Sequence, residues 1–313
     1  MNNLSLPIAR LALLSTAVLG LTGCIKHIQS SVPAFAQAAT LTSTSVQAAF
    51  VQVQETYADT QVMNYAVTYK GNFDPATIPQ TWLPQSSMDV RLKVLQGLSQ
   101  YASELSSLSG SDDTTALNTA STGVGKALTN LTTMPEFAKM TAAKSVSSDQ
   151  IATAVSALGD WLIQAKLKKT LPDAIEKMDP NIQLMCTLLV EDIGTVDTNP
   201  AHPPKGNGLR QTLWIQYSLQ NKAWNDYVEA NINSFTPDAK LAAIEKLPTL
   251  AAQQRQADMT LQQASVTVAQ LAKAHTELVK AAKTKQDYRA DLGDLLAEAQ
   301  RLNSYYQSLQ NTK

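Results

Sequence analysis

Cysteine is almost absent from this chain: Cys24 and Cys186 are the only two. That excludes a disulfide-stapled scaffold and any Cys-x-x-Cys redox or metal motif. Histidine is as scarce. His27, His202 and His275 share no paired spacing, so no zinc or haem ligand set is in view, and no metal is expected. His275 reads as a flank or surface residue of a helix. No glycine-rich phosphate loop and no nucleophile elbow occurs. Neither charge sign dominates, with 25 Lys and Arg against 26 Asp and Glu for a net charge of −1. Neither a nucleic-acid footprint nor a basic membrane-binding face follows from that balance, and no nucleic-acid partner is expected. The short run Lys166-Leu167-Lys168-Lys169 reads as a solvated helix end.

Long apolar runs are missing too. The longest near the start, Leu11 to Leu19, falls short of the ~20 residues that cross ~30 Å of hydrocarbon. It follows the polar Met1-Asn2-Asn3 and the single basic Arg10, which is the layout of a secretory signal. At its end stands Leu21-Thr22-Gly23-Cys24, and the chain then turns polar with Lys26, His27 and Gln29. This segment resembles the lipobox of bacterial lipoproteins. The resemblance covers residues 1–24 and implies cleavage between Gly23 and Cys24, with a diacylglycerol on the Cys24 thiol and an acyl chain on the new amino terminus. No other cofactor is expected. Two or three acyl chains at ~0.8 kcal/mol per buried methylene hold a protein at a membrane firmly, whereas one does not. Ile25 stands where Asp would signal inner-membrane retention, so the resemblance points to the periplasmic face of an outer membrane if the source is Gram-negative. Cleavage removes Arg10 and no acid, which takes the side-chain balance from −1 to −2.

Residues 24–37 read as lipid anchor and tether; 25–37, with Pro33, would reach ~43 Å when extended. From Ala38 the pattern turns helical, and Val46, Phe50, Val53 and Tyr57 mark a buried face. Lys70-Gly71-Asn72 should stop that helix, and Pro75, Pro79 and Pro84 break the segment that follows. Trp82 in this break reads as a plug over the core or a partner contact. A helical hairpin is expected over 88–133, parted at Gly110-Ser111-Asp112. Pro135 suggests a break, Ser147-Ser148-Asp149 a helix start, Pro172 a first turn and Pro180 a bend. Cys186 lies in a strongly apolar stretch and reads as a buried thiol, with an intermolecular disulfide as the alternative. Residues 194–208, rich in Pro and Gly, are a linker that either loops across one bundle or divides 38–193 from 209–313.

The C-terminal part gives the strongest periodicity. Leu271, Ala274, Leu278, Ala281, Lys285, Tyr288, Leu292, Leu295, Ala299, Leu302, Tyr306 and Leu309 alternate by three and four, as in a coiled-coil seam. Taken as one helix from Thr249 to Gln310, it would be ~93 Å long, kinked at its start by Pro248. Trp214, Tyr217, Trp224 and Tyr227 fall near one helix face and serve as core, interface or small-ligand contact. Glu191, Asp192 and Asp197 cluster near the linker, as solvated helix-end carboxylates or as a cation or acid/base site.

The sequence thus leads to an all-α, elongated antiparallel bundle ending in a long coiled-coil-like helix, with 209–313 packed on 38–193. Function is expected in binding, bridging or structure at the cell envelope, through an envelope protein partner or self-association, with the membrane held by the lipid anchor. No catalytic residue is assigned. An envelope enzyme with an unrecognised carboxylate site and a carrier of a small apolar ligand are the alternatives.

Overall fold

The computed structural model describes residues 8–69, 71, 74, 78, 81–109, 114–142, 144–164, 171–194, 204, 208–284 and 289–311. Side chains are described from 32 onward within that set, except at 56, 59, 60, 63, 68, 114–119, 284, 289, 290, 306 and 308–311. The described residues form nine helices and no strand: α1 Ile8–Thr68, α2 Gln85–Ser109, α3 Thr114–Leu131, α4 Pro135–Thr141, α5 Ser148–Gln164, α6 Leu171–Ile193, α7 Leu209–Asn231, α8 Pro237–Thr284 and α9 Arg289–Asn311. The fold is an all-α helical bundle.

Local chemistry accounts for several boundaries. Before α5, the amide of Gln150 donates to Ser147 Oγ and the amide of Ser147 donates to Gln150 Oε1, both at 3.3 Å. This reciprocal capping box satisfies two of the donors a helix start leaves open. Before α8, the Ala239 amide donates to Thr236 Oγ1 at 3.3 Å, with Pro237 in the first turn. Pro135, read from sequence as a break, instead occupies the first turn of α4, where its missing N–H costs nothing. Pro180 and Pro248 lie inside α6 and α8 without ending them.

Polar contacts between helices fix the topology. Ser43 Oγ donates to the Leu95 carbonyl at 2.7 Å and the Leu83 amide to Gln54 Oε1 at 3.3 Å, so α2 runs back along α1. Gln183 Nε2 donates to the Ala272 carbonyl at 2.8 Å, and Lys283 pairs with Glu176 at 2.8 Å, which makes α8 antiparallel to α6. Helices α3 and α5 cross at paired glycines. A Cβ on Gly125 would stand 2.6 Å from the Gly159 carbonyl oxygen, so any side chain there would push the backbones apart.

Two expectations need correction. The segment read as a tether is helical, and Val32, Phe35 and Ala36 within it are buried in the core. Pro33 does not prevent this, because Phe35 and the alanines after it continue the apolar face of α1. The single C-terminal rod is two helices. Lys273 pairs with Asp291 at 2.6 Å, Gln263 reaches the Glu298 carboxylate at 2.5 Å, and Gln256 donates to the Tyr305 carbonyl at 3.4 Å. Rising numbers on α9 thus meet falling numbers on α8, the signature of an antiparallel hairpin. The seam residues Leu271, Ala274, Leu278, Ala281, Leu295 and Leu302 are buried as their spacing implied, but partly against each other. The seam positions Lys285 and Tyr288, and the side chains of Tyr306 and Leu309, lie outside the described residues.

Most of 195–207 also lies outside the described residues, but its two ends touch. A Cβ on Gly208 would be 2.6 Å from the Gly194 Cα. Gly194 takes a left-handed φ of +120°, open to glycine and strained for other residues. One apolar cluster runs from Val32 on α1 to Leu302 on α9 and includes residues on both sides of this closure.

Candidate functional site

Three regions carry the residues singled out above: the anchor junction, the aromatic face of α7, and the buried polar centres. Leu21 to Cys24 lie within the backbone span of α1, while their side chains are outside the described residues. Val32, the first described core side chain, follows Cys24 by eight positions, about 12 Å along a helix axis.

The four aromatic residues of α7 divide. Tyr217 is buried and belongs to the main core, whereas Trp214, Trp224 and Tyr227 are half-buried. Trp224 Nε1 donates to the Ala243 carbonyl across the α7–α8 hairpin at 3.0 Å. Its ring lies 5.6 Å from Tyr227, whose ring lies 6.0 Å from Phe235 in the connecting turn. Trp224, Tyr227 and Phe235 thus form a ladder along the distal hairpin, with the indole donor satisfied as a half-buried tryptophan requires. Around this ladder Leu219 and Leu241 are 59% and 58% exposed, and Ile215 and Ile244 are exposed as well. The four aromatics therefore do not form one site: the structure gives one to the core and leaves the others on the hairpin.

The buried polar centres were not found from sequence. Arg210 at the start of α7 lies wholly inside the protein and grips Asp258 of α8 with two parallel bonds of 2.8 Å each. A third, at 3.1 Å, reaches Gln262 Oε1, and the arginine stem lies over Gly194. Arg91 of α2 holds Asp192 of α6 in the same two-bonded way, at 2.6 and 2.9 Å. Lys144 stands 3.6 Å from Asp192, and Glu191 accepts from the Ser145 amide at 2.8 Å. The carboxylates read as solvated are therefore engaged: Asp192 is buried in an ion pair and Glu191 ties the α4–α5 connection to α6. Burial is what reverses that expectation, since an ionised group removed from water needs a partner. Asp197 lies outside the described residues.

The third centre joins α2, α6 and α8. His275, expected at a flank or surface, is fully buried. Its Nδ1 lies 2.8 Å from Asp179 Oδ1 and its Nε2 2.9 Å from the Tyr101 hydroxyl. Burial pushes the Asp179 carboxyl up. Hydrogen bonds from His275 and Gln183, with the charges of His275 and Lys283, more than offset this and hold it below its ordinary value. As an ionised carboxylate it only accepts, so Nδ1 carries a proton; in a neutral ring Nε2 then accepts from Tyr101. Burial, with Asp179 adding to it, raises the Tyr101 phenol well above its ordinary value. Trp161 packs edge-on against Tyr101 at 4.9 Å and Phe35 edge-on against His275 at 5.8 Å. A carboxylate, an imidazole and a hydroxyl in line are the ingredients of a proton relay. Here the hydroxyl end is buried under aromatic rings, and what the line achieves is to lock three helices in register.

Cys186 is a free, buried thiol whose pKa burial pushes up to about 12, with Asp179 adding to the shift, so it is protonated and unreactive at neutral pH. His27 has no described side chain, and His202 lies outside the described residues. Among the described residues no three His, Cys, Asp or Glu side chains group as a metal site, and no helix is long and apolar enough to cross a membrane. A shallow groove of about 310 Å³ between α1 and α2 is lined by Pro33, Ala36, Gln37, Thr40, Ser103 and Ser106. The sequence does carry one sign that the middle of α8 is enclosed. Between Arg255 and Lys273 the only charged residue is Asp258, and a helix so poor in charge is surrounded by protein rather than facing water on one side. No family model, curated protein or solved structure matches the chain.

Proposed function

We propose that this chain is a lipid-anchored protein of the cell envelope that binds or bridges protein partners through its helical body. Leu21-Thr22-Gly23-Cys24 after a short apolar run carries this reading. Cleavage before Cys24 leaves that cysteine to take the diacylglycerol and amino-terminal acyl chains, and in a Gram-negative source Ile25 favours the periplasmic face of the outer membrane. The bundle supports a binding role, because its buried ionised centres, Arg91–Asp192, Arg210–Asp258 and Asp179–His275, are engaged in joining helices. Its half-buried aromatics and exposed Leu219 and Leu241 gather on the α7–α8 hairpin. Large apolar side chains with satisfied polar edges suit protein interfaces.

Two measurements test the two halves of the proposal. Cells fed a labelled fatty acid should label the parent chain and leave Cys24→Ala unlabelled and unprocessed; equal labelling would sink the anchor. In-cell crosslinking with mass spectrometry should then capture a reproducible protein partner. Capture should fall at least fivefold in Leu219→Glu/Leu241→Glu, whose substituted positions face water. Capture unchanged by that double variant would remove the hairpin from the binding surface.

A further inference from the structure

The line from Asp179 through His275 to Tyr101 ends against a further ring, and that ring reaches the surface. The buried Tyr101 hydroxyl donates to His275 Nε2 at 2.9 Å, and His275 Nδ1 donates to Asp179 Oδ1 at 2.8 Å. Trp161 of α5 packs edge-on against the Tyr101 ring at 4.9 Å and is itself half-buried. At the opposite end the Asp179 side chain is 25% exposed. The enclosed phenol therefore has an indole leading outward on one side and an imidazole and carboxylate leading outward on the other.

We infer that Tyr101 is a redox site, oxidised through Trp161 by a one-electron oxidant in solution while its proton passes to His275. The oxidant, a radical or a single-electron metal complex, takes one electron from the Trp161 indole and is reduced by it. An electron from Tyr101 refills the indole. The phenol O–H bond breaks, and its proton forms a bond to His275 Nε2. A neutral phenoxyl radical and an imidazolium remain. A one-electron reductant reverses the step, with the proton returning from His275 to the phenoxyl oxygen.

Burial selects this coupled route. It holds the Tyr101 phenol well above its ordinary pKa, with Asp179 adding to the effect, so losing the proton first is blocked. Losing the electron alone would leave a positive ring enclosed by apolar side chains, and an unpaired buried charge is costly. Moving both leaves the ring neutral. The line begins with the negative charge of Asp179 and ends as an Asp179–His275 ion pair, its nearest atoms 2.8 Å apart. Lys283, whose charge also acts on Asp179, is itself paired with Glu176 at 2.8 Å. Oxidation thus gives a partly buried carboxylate a counter-charge in a place where attraction exceeds that in water. Trp161 is the entry because Tyr101 is only 1% exposed, and rings in contact exchange an electron where distant ones do not.

Flash oxidation of the purified full chain by photogenerated ruthenium(III) tris-bipyridine, read by electron paramagnetic resonance, decides the matter. The parent should form a tyrosyl radical that outlives those on exposed tyrosines, since an enclosed phenoxyl cannot couple with a second one. After prolonged exchange into heavy water its oxygen should show one coupled deuteron, the one held by His275 Nε2. Tyr101→Phe should lower the long-lived signal at least tenfold, and Trp161→Phe should slow its formation at least tenfold. Circular dichroism and the thermal midpoint show whether each variant folds, and the deuteron coupling in the parent needs no variant at all. No long-lived tyrosyl radical in the parent, or one without an exchangeable hydrogen at its oxygen, would overturn the inference. So would a long-lived signal unchanged in folded Tyr101→Phe, or formation unchanged in folded Trp161→Phe.

Discussion

One helix, α8, serves two regions that hold together by different means. From Ala257 onward it is surrounded: Leu261, Ala264, Val268, Leu271, Ala274 and Leu278 join the main apolar cluster, and Thr260, Ser265, Thr267 and His275 are buried among them. Before that point it pairs with α7 in the distal hairpin, where Val228, Ala243 and Leu250 are buried outside the main cluster. The central region buries two Arg–Asp ion pairs, though the Thr42 and Ser265 hydroxyls are buried there without a hydrogen bond. The hairpin keeps Leu219, Leu241 and Ile244 in water and encloses Gln220, neither of whose amide atoms is hydrogen-bonded. The first region is specified by packing and ion pairs together. The second carries less apolar burial per residue, so it should open at lower free energy than the bundle.

The Arg210–Asp258 pair stands at the border and is where the comparison can be broken most severely. Asp258→Ala leaves a guanidinium buried with its carboxylate gone, and removing one member of such a pair costs about 3–5 kcal/mol. Urea denaturation of the variant should show that loss as a lower midpoint. Replacing both members by apolar residues of similar size, Arg210→Met/Asp258→Leu, should recover most of it. A double variant as unstable as the single one would show that the pair organises the border beyond its own charges.

Within the bundle, Gly125→Ala probes close packing alone. Its Cβ would sit 2.6 Å from the Gly159 carbonyl and 2.8 Å from Ile163 Cγ1. Alanine is the better helix former, yet forcing α3 from α5 should cost about 1–3 kcal/mol net. Gly123→Ala, with nothing near its Cβ, should instead stabilise by up to about 1 kcal/mol. Thermal unfolding of the two variants side by side gives opposite signs if close packing decides.

How far each region was legible follows from the same physics. Periodicity reports which face is buried and is silent on what buries it. The seam from Leu271 to Leu302 was therefore visible, while its reversal between α8 and α9 was not: no Gly or Pro stands between Thr284 and Arg289 to mark a turn. Phe35 and Val32 continued the α1 pattern, but Pro33 and the polar residues around them read as tether. Partnered buried charges leave no local trace. Arg91 and Asp192 are 101 positions apart, and nothing near either names the other. The aromatic residues of α7 were recognised as a face, but their division between core and hairpin depends on where the neighbouring helices end.

Asp179 links buried chemistry to solvent and gives a pH signature. Its folded pKa is lowered, so it contributes stability at pH above the unfolded value of about 3.9, lost as pH falls through the folded value. Asp179→Asn keeps an oxygen facing His275 and removes the charge, so the variant should lose about 1–2 kcal/mol at neutral pH. The gap between parent and variant should hold above about pH 5 and narrow below about pH 4. A gap independent of pH would assign the effect to shape rather than charge. The same measurement on Asp258→Ala separates a carboxylate that reaches water from one that does not.

Gln220 offers the smallest and most discriminating change. It is buried on the inner face of α7, next to Asn221, whose amide nitrogen donates to Gln254 Oε1 at 2.9 Å. Gln254 in turn donates to the Trp214 carbonyl at 3.0 Å and to Ser218 Oγ at 2.8 Å. The amide ladder between α7 and α8 thus runs beside Gln220 and leaves it out. A buried polar group without a partner costs roughly 1–3 kcal/mol, part of which a shape-matched apolar residue recovers. Gln220→Leu should therefore be neutral or stabilising by about 1 kcal/mol, against the general rule that core substitutions destabilise. Amide hydrogen exchange should show the gain on the hairpin and not on α2 or α6. A loss of stability would mean that Gln220 is engaged when the protein is in solution.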